Sequence, residues 1–276
     1  MHIQQLFNVT GRTAVVTGGA SGIGLGYAEA LATNGARVTL LDIDERRIEA
    51  EVTRLRAAGF DVTGRVVDVT DHGALDRAVD EIVAERGRLD VAFANAGIDP
   101  GPGYVGDWVG DQRPRLTDGA IENYQDARWN RVIDINLNGI FATVRAAARH
   151  MRPQRSGRIV ITTSAASQRI EPAIGAAYMA AKAGAAHFMR SVALELAAYE
   201  ITVNAVAPGM FVTNIGGGHS KDPAVQKALA SVIPMHRVGF PKDVGGLALF
   251  LASDAGSYVT GQEIVIDGGL CLGRVD

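Results

Sequence analysis

A tyrosine and a lysine stand four residues apart in the alanine-rich stretch 176–182, and Ser164 lies fourteen residues upstream of the tyrosine. If this stretch is helical, Tyr178 and Lys182 share one face, because positions i and i+4 are neighbours on a helix. A phenol titrates near ~10 in water, and an adjacent cation would lower that pKa. The pair could exchange protons with a substrate, although a Tyr and a Lys at this spacing are more often a solvated pair.

A glycine-rich segment near the start of the chain has the features of a phosphate-binding loop. Thr17-Gly18-Gly19-Ala20-Ser21-Gly22-Ile23-Gly24 follows an apolar run and opens a helical pattern. Glycines there allow a tight turn and bring the backbone close to a pyrophosphate at the helix N-terminus. The spacing is G-x-x-x-G-x-G, which differs from G-x-G-x-x-G. A flexible turn is the alternative, since the chain has 33 glycines, but the position between strand and helix favours the phosphate loop.

An acidic residue, Asp42, ends the second apolar run, eighteen residues beyond the glycine loop. A carboxylate there can accept hydrogen bonds from the adenosine ribose and would repel a 2′-phosphate. The glycine loop contains no Arg or Lys, and Arg46 and Arg47 fit a solvated first helical turn better than a phosphate site. We therefore expect NAD rather than NADP as the cofactor.

The composition limits the classes of protein that the chain can represent. Its 276 residues, 47% hydrophobic and 21% charged, suit one large α/β domain. A net charge of -3 without a basic stripe argues against nucleic acid as a partner. The single cysteine, Cys271, excludes an intrachain disulfide and fits a reducing compartment. We see no secretory signal, no apolar run near the ~20 residues of a membrane helix and no histidine at metal-ligand spacing, and expect a cytoplasmic protein.

The order of apolar runs and helical patterns predicts the fold. Short β-branched runs alternate with longer helical patterns along the whole chain, which is typical of βαβ units. We expect one domain over residues 1–276, with a doubly wound, seven-stranded parallel sheet and helices on both faces. The predicted strands are residues 13–17, 37–42, 62–67, 91–94, 158–163, 202–207 and 263–266. The predicted helices are residues 23–34, 44–58, 71–86, 125–151, 175–199 and 242–251.

Two segments interrupt this alternation. Residues 99–126 are rich in Gly, Pro and Asp and carry Tyr104 and Trp108, and they are long for an ordered connection. Residues 214–234 begin with a run of glycines and continue into a short helical pattern. Both would follow strands, at the sheet edge where ligands bind in doubly wound folds. The first is either a substrate-contacting insertion or a surface and subunit-contact loop; the second is a candidate substrate lid.

Taken in order along nearly the whole chain, these motifs resemble the short-chain dehydrogenase/reductase family. The glycine loop resembles its TGxxxGxG motif, and Tyr178 with Lys182 resembles its YxxxK pair. Asn95-Ala96-Gly97 is similar to the family's NAG, and the segment from Pro208 to Thr213 is similar to its PGxxxT. The resemblance implies a Rossmann fold with these cofactor-binding residues: Gly18, Ser21, Gly22, Ile23, Gly24, Asp42, Ile43, Asp68, Val69, Asn95, Ala96, Gly97, Tyr178, Lys182, Pro208, Gly209, Phe211 and Thr213.

The resemblance also implies the role of each catalytic residue. Tyr178 would be the general acid or base, and Lys182 would lower its pKa and bind the nicotinamide ribose. Ser164 would hydrogen-bond the substrate oxygen, and Asn136 would hold a water that links Lys182 to solvent. The neighbouring Ser167 and Asn138 are the alternatives to Ser164 and Asn136, and Asp68 could simply end a strand before the helix cap Asp71. Ser164, Gln168, Tyr178 and Met210 are the expected substrate-binding residues.

The family's activity implies an NAD-dependent oxidoreductase that acts on a secondary alcohol or ketone. A sugar or polyol dehydrogenase, or a 3-oxoacyl carrier reductase of the same fold, is the alternative enzyme. A dinucleotide-binding regulator without turnover is the alternative from a different class, although all four catalytic positions are filled. A homotetramer is expected by analogy, because the family's last strand often packs across a two-fold axis. Neither nucleic acid nor a membrane is an expected partner.

Overall fold

A computed structural model describes residues 2–99, 101–106 and 112–273 of the chain. Trp108, one of the candidate contact residues in the inserted segment, lies outside these ranges.

The described residues include seven strands: β1 Thr13–Thr17, β2 Arg37–Asp42, β3 Val62–Val66, β4 Val91–Ala94, β5 Gly157–Thr162, β6 Ile201–Pro208 and β7 Glu263–Ile266. They are parallel and form a single sheet in the order β3-β2-β1-β4-β5-β6-β7. The predicted sheet is confirmed, and each predicted strand agrees with the structure to within one residue at either end.

The strand order has a switch point between β1 and β4, where strands stop being added on one side of β1 and begin to be added on the other. From β1 the chain moves outwards to β2 and β3, and then it crosses back to place β4 on the other side of β1. Val15 pairs with Thr39 of β2 on one side and with Ala92 of β4 on the other. Ligands of doubly wound sheets bind in the crevice that such a switch point opens at the carboxyl ends of the strands.

Helices cover both faces of the sheet. One face packs α4 (His72–Arg86), α6 (Gly139–Gln154) and α7 (Ala176–Ala197) through side chains such as Leu75 and Met189. The other packs α2 (Gly22–Ala32), α3 (Glu45–Ala57) and α9 (Gly245–Ala252) through side chains that include Leu31. The strand interiors β1 and β4 are buried throughout, as expected for strands covered on both faces. The remaining α-helices are α1 (Ile3–Leu6), α5 (Asp126–Ile133) and α8 (Pro223–Ala230).

The predicted helix over residues 125–151 is present as helical backbone from Asp126 to Gln154, but it is not α-helical throughout. Between α5 and α6 the residues Asp134–Asn138 form a π-helical turn. The side chain of Asn136 donates a hydrogen bond to the Val132 carbonyl oxygen at 3.2 Å, and it also bonds the distant backbone of Ile98. The polar side chain thus takes part in the backbone bonding of the helix, and π turns are frequent at functional sites for this kind of reason.

The inserted segment packs against the chain just before α7. Residues 101–106 and 112–120 of this segment are called the inserted arm below. An antiparallel bridge joins Val105 to Arg115 within the arm, and another joins Pro102 to Ile174. The Gly103 nitrogen donates to the Ala173 carbonyl oxygen at 2.8 Å. The arm therefore lies beside the N-terminus of the helix that carries Tyr178 and Lys182.

Candidate active site

Ser164, Tyr178 and Lys182 meet at the carboxyl end of β5. Ser164 follows that strand and shares a hydrogen bond with the Tyr178 side chain. The Lys182 Nζ lies 5.6 Å from the centroid of the Tyr178 ring and donates to the carbonyl oxygen of Thr162 at 2.9 Å. The i, i+4 spacing on α7 therefore places phenol and ammonium at one site, as the sequence predicts. Ser167, the alternative to Ser164, turns its hydroxyl towards Glu263.

Burial controls the electrostatics of this pair. It raises the pKa of Tyr178 to about 12, the hydrogen bond from Ser164 opposes that rise, and the Asp99 carboxylate adds to it. Burial also lowers the pKa of Lys182 to about 7, because the side chain is only 2% exposed. Burial is thus the largest influence on the phenol, and the expectation that Lys182 lowers the tyrosine pKa stays a prediction. Desolvation disfavours the charged form of both groups.

Asn136 lies buried against the loop that follows β4. Its Oδ1 accepts from the Ile98 nitrogen at 3.2 Å, and its Nδ2 donates to the Ile98 carbonyl oxygen at 3.0 Å. A Cβ atom at Gly97 would lie 2.7 Å from the Asn136 Oδ1 and 3.5 Å from the Lys182 Nζ. Gly97 therefore packs against both side chains, which brings Asn136 into the neighbourhood of Lys182. Asn138, the alternative, bonds the carboxylate of Asp134 instead.

The glycine loop has the shape of an anion cradle. Gly18 and Gly22 have positive φ angles, +62° and +54°, that favour glycine. A Cβ atom at Gly24 would lie 2.1 Å from the Gly18 carbonyl oxygen, so the loop closes tightly on α2. The Ser21 side chain makes no capping hydrogen bond to any described residue. The first N–H groups of α2, including that of Ile23, are therefore left for an anionic ligand such as a pyrophosphate.

Asp42 is fixed against this loop at the end of β2. Its Oδ2 accepts from the Ala20 nitrogen at 3.1 Å, and its Oδ1 accepts from the Asp44 nitrogen at 3.2 Å. Ile43 follows with 68% of its surface exposed, so it can contact a flat ring laid over it. Arg47 pairs with Asp44 at 3.0 Å in the first turn of α3, which agrees with the predicted solvated turn.

Asn95 ties together the three strands around the switch point. Its Nδ2 donates to the carbonyl oxygens of Thr17, at 3.0 Å, and Gly18, at 3.3 Å. Its Oδ1 accepts from the Thr162 hydroxyl at 3.0 Å. The Thr17 hydroxyl accepts from the backbone nitrogens of Asn95 and Ala96. The glycine loop, β4 and the end of β5 are thus held in one rigid arrangement.

Asp68 and Val69 lie past the carboxyl end of β3. The exposed Asp68 carboxylate accepts from the backbone nitrogen and the hydroxyl of Thr70. Val69 is buried, and a Cβ atom at Gly139 would lie 2.6 Å from one of its methyl groups. Asp71 caps α4 by accepting from the Ala74 nitrogen, as the sequence predicts.

The segment after β6 closes the other side of the crevice. Pro208 ends the strand, and the Gly209 nitrogen donates to the Ile266 carbonyl oxygen at 3.0 Å. Phe211 is buried and bridges to Gly239. A Cβ atom at Gly22 would lie 3.4 Å from the Thr213 side chain, so Thr213 borders the glycine loop. Beyond it, Ile215–Lys221 form a 3₁₀ helix that precedes α8, where the sequence predicts a lid.

The expected substrate residues Gln168 and Met210 have other contacts in the structure. The Gln168 Nε2 donates to the Glu263 Oε2 at 3.0 Å. Met210 packs against a small apolar cluster that contains Ile233, Val238 and Leu270. Both residues lie a few positions from a strand end, on the same edge of the sheet as Ser164.

Two residues at this edge were missed from the sequence. Asp99 acts on the Tyr178 phenol, and its Oδ1 accepts from the Gly101 nitrogen at 3.0 Å. Asp99 could have been predicted as a site residue, because it follows Asn95-Ala96-Gly97 and Ile98 directly in the sequence. Glu263, 96 residues from Ser167, carries no local signal.

The described ranges contain no group of three or more His, Cys, Asp or Glu side chains that could hold a metal ion. Nor do the helices within them include one long and apolar enough to cross a membrane.

Comparisons with known proteins agree with this geometry. Residues 18–271 match the family model described as enoyl-(acyl carrier protein) reductase. The chain is 34% identical over 262 residues to the 3-oxoacyl-(acyl-carrier-protein) reductase of Chlamydia pneumoniae, covering 95% of this chain and 98% of that protein. It is 38% identical over 278 residues to the cyclohexanol dehydrogenase of Rhodococcus sp. (strain TK6), covering 94% and 96%.

A solved structure gives the same result for the fold. The gluconate 5-dehydrogenase of Burkholderia cenocepacia J2315, in complex with NADP and tartrate, superposes with a TM-score of 0.85 at 32% identity, covering 99% of this chain and 100% of that one.

Proposed function

The chain belongs to the short-chain dehydrogenase/reductase family, and from that membership we propose that it is an NAD-dependent oxidoreductase that transfers a hydride between the nicotinamide and a secondary alcohol or ketone. The observation that carries the proposal is the meeting of Ser164, Tyr178 and Lys182 at one strand end, beside a glycine loop that opens a helix. Proton transfer and dinucleotide binding are thereby supplied at adjacent points of one crevice.

The cofactor would lie across the switch point. The loop Gly18–Gly24 would hold the pyrophosphate. A side chain at Gly24 would collide with the Gly18 carbonyl oxygen, so the tight closure of this loop depends on glycine. Asp42 would accept from the adenosine ribose, and Asp68 with Val69 would border the adenine. Asn95, Ala96 and Gly97 would line its path towards Lys182, and Pro208 to Thr213 would cover the nicotinamide side. When bound, this group supplies the hydride acceptor or donor.

The protein's own residues would handle the proton. In alcohol oxidation the Tyr178 phenolate takes the hydroxyl proton, and in ketone reduction the phenol returns it. Ser164 donates to the substrate oxygen, where negative charge develops, and its hydrogen bond also lowers the pKa of the phenol. The Lys182 ammonium is anchored to the Thr162 carbonyl oxygen, which leaves its other protons free to bind a ribose hydroxyl. Asn136 would hold the water that leads from Lys182 to solvent.

NAD is preferred over NADP in this proposal because of Asp42. Its carboxylate is held in place by two backbone N–H groups, so it cannot turn away from a 2′-phosphate without losing them. The related gluconate 5-dehydrogenase is described in complex with NADP, which makes the cofactor the sharpest point to test.

Two alternative enzyme activities are compatible with the same site. The relatives include a 3-oxoacyl-(acyl-carrier-protein) reductase and a gluconate 5-dehydrogenase, so a carrier-bound ketone or a polyol is the alternative substrate class. A binding protein without turnover is the alternative from another class, and the complete set of catalytic side chains argues against it. The proposed assembly is a homotetramer, and a monomeric mass by light scattering would contradict it.

An absorbance screen at 340 nm with NAD and a panel of secondary alcohols, polyols and hydroxy acids tests the function. Tyr178→Phe should abolish turnover, by ~100-fold or more for loss of a general acid or base, while NADH binding followed by fluorescence stays unchanged. Tyr199→Phe is the matched control, because Tyr199 lies past the end of α7 with Arg152 stacked on its ring. Turnover retained in Tyr178→Phe, or NADH binding without turnover on any substrate, would overturn the proposal.

A further inference from the structure

A buried carboxylate from the last strand reaches the turn that carries the catalytic serine. The Glu263 side chain, at the start of β7, is 3% exposed. Its Oε1 accepts from the Ser167 hydroxyl at 2.6 Å, and its Oε2 accepts from the Gln168 Nε2 at 3.0 Å. An Arg190 nitrogen lies 3.5 Å from the same Oε2. A carboxylate this well buried needs such partners, because desolvation without them is costly.

These contacts join three elements of the fold. Ser167 and Gln168 end the short 3₁₀ turn Ala165–Ser167 that follows β5, and Ser164 is its first flanking residue. Arg190 lies on α7, two turns beyond Lys182. Glu263 therefore links the turn of Ser164 to the helix of Tyr178 and Lys182, and it anchors both to the edge strand of the sheet.

The link reaches Ser164 itself through Ser167. The Ser167 Oγ lies 2.5 Å from the Ser164 carbonyl oxygen and 2.6 Å from the Glu263 Oε1, and its single proton is shared between these two acceptors. The backbone of Ser164 is extended, with φ −167°, and its Oγ accepts from the Ala166 nitrogen at 3.1 Å. A shift of Ser167 would thus carry the Ser164 carbonyl group with it, and with that the direction of its hydroxyl towards Tyr178.

We propose that Glu263 is a positioning residue for the reaction: through Ser167 and Gln168 it ties the Ser164 turn to β7, so that the Ser164 hydroxyl keeps its place beside the Tyr178 hydroxyl. This inference rests on the proposed function, in which those two hydroxyls meet the substrate oxygen. Glu263 touches neither hydroxyl and acts only through the turn.

Hydrogen bonding rather than charge is the basis of this role. The Arg190 side chain is half exposed, so its ion pair with Glu263 is screened by solvent and contributes little. An amide in place of the carboxylate preserves the arrangement: its oxygen accepts from Gln168, and its NH2 group donates to the Ser167 oxygen while the Ser167 proton goes to the Ser164 carbonyl. An apolar side chain of similar size leaves the turn without its anchor.

The experiment compares Glu263→Leu with Glu263→Gln in the full-length protein. Glu263→Leu should lower kcat by ~10- to 100-fold, the scale of an ångström-size displacement of a reacting group, with the Kd for NADH within ~2-fold of the wild type, as the glycine loop is untouched. Glu263→Gln should keep kcat within ~3-fold, since its two hydrogen bonds remain. Glu195→Gln, which removes an exposed carboxylate from α7, is the matched control and should change neither quantity.

An unchanged kcat in Glu263→Leu, or equal losses of kcat in Glu263→Leu and Glu263→Gln, would overturn the inference. If Glu263→Leu does not fold, as judged by thermal melting, Ser167→Ala carries the test: it removes the link to Ser164 and must lower kcat without weakening NADH binding. Failure of the proposed function would look different, because the wild-type protein would then show no turnover at all.

Discussion

Replacing Asp42 with asparagine should change the choice between NAD and NADP. The carboxylate lies at the end of β2, held by the backbone nitrogens of Ala20 and Asp44 at 3.1 and 3.2 Å. Two contributions set the expected size of the effect. One is the loss of a charged acceptor for the ribose hydroxyls of NAD, and the other is the loss of repulsion towards the 2′-phosphate of NADP.

Each contribution can be estimated. A hydrogen bond to a charged acceptor contributes about 1.5–3 kcal/mol, so its loss should lower kcat/KM with NAD by roughly ten- to a hundredfold at about 1.4 kcal/mol per factor of ten. Two like charges about 5 Å apart repel by about 3 kcal/mol at an effective dielectric constant near 20. Asp42 is partly exposed, and solvent and salt reduce this repulsion to about 1–2 kcal/mol. When the two contributions are combined, the ratio of kcat/KM with NAD to kcat/KM with NADP should fall by about a hundred- to a thousandfold.

The measurement is the initial rate with each cofactor at one fixed alcohol concentration. The ratio of the two kcat/KM values is its own control, since structural damage to the loop lowers both alike. Asp61→Asn provides a second control: it removes a carboxylate that pairs with Arg86 next to the amino end of β3. A ratio within about threefold of the wild type in Asp42→Asn would refute the electrostatic reasoning, as would equal use of both cofactors by the unaltered protein.

Three other changes have effects of known direction. Asp99→Asn should lower the apparent pKa of kcat/KM for alcohol oxidation, because the Asp99 carboxylate raises the pKa of Tyr178; a pH profile that stays in place or moves upwards would contradict this. The pKa of Lys182 is about 7 in the folded chain against 10.5 when solvated, so the unfolded chain binds the extra proton between those values and stability rises with pH across that window. Lys182→Met should therefore melt at a higher temperature than the wild type. The difference between the two melting temperatures should be largest near pH 7 and should disappear by about pH 10, and a difference that does not change with pH would contradict this. Gly24→Ala should lose NADH binding and about 1–3 kcal/mol or more of stability from the collision with the loop, whereas Gly246→Ala, with open space around its Cβ position, should gain up to about 1 kcal/mol in chemical denaturation.

The sheet could be predicted from the sequence because its physical cause is local. Strands such as β1 and β5 are short apolar runs, and strands buried on both faces need no alternation with polar residues. Their parallel order then follows from the helices between them. The π turn at Asn136 could not be predicted in this way, because Asn136 forms hydrogen bonds with Ile98, 38 residues away in the sequence. The helical periodicity of a sequence segment does not indicate hydrogen bonds to residues far away in the chain.

The sequence predicts which residues form the site better than it predicts their pKa shifts. The spacing of Tyr178 and Lys182 placed them on one helical face, and the structure joins them to Ser164. The rise in the pKa of Tyr178 could not be predicted from this spacing, because burial is a property of the packed chain. Glu263 could not be found at all, since its partners Ser167 and Gln168 lie 96 and 95 residues away.

The electrostatic balance at Tyr178 identifies which groups can adjust its reactivity. Burial disfavours the charged forms of both Tyr178 and Lys182, which raises the pKa of the phenol and lowers that of the ammonium. Two neighbours remain, and they act in opposite directions: the Ser164 hydrogen bond lowers the pKa of the phenol, and the Asp99 carboxylate raises it. The orientation of Ser164 is therefore a control on proton transfer as well as on substrate binding. That is why a residue which only holds the Ser164 turn, as Glu263 does through Ser167, should affect kcat while leaving the cofactor in place.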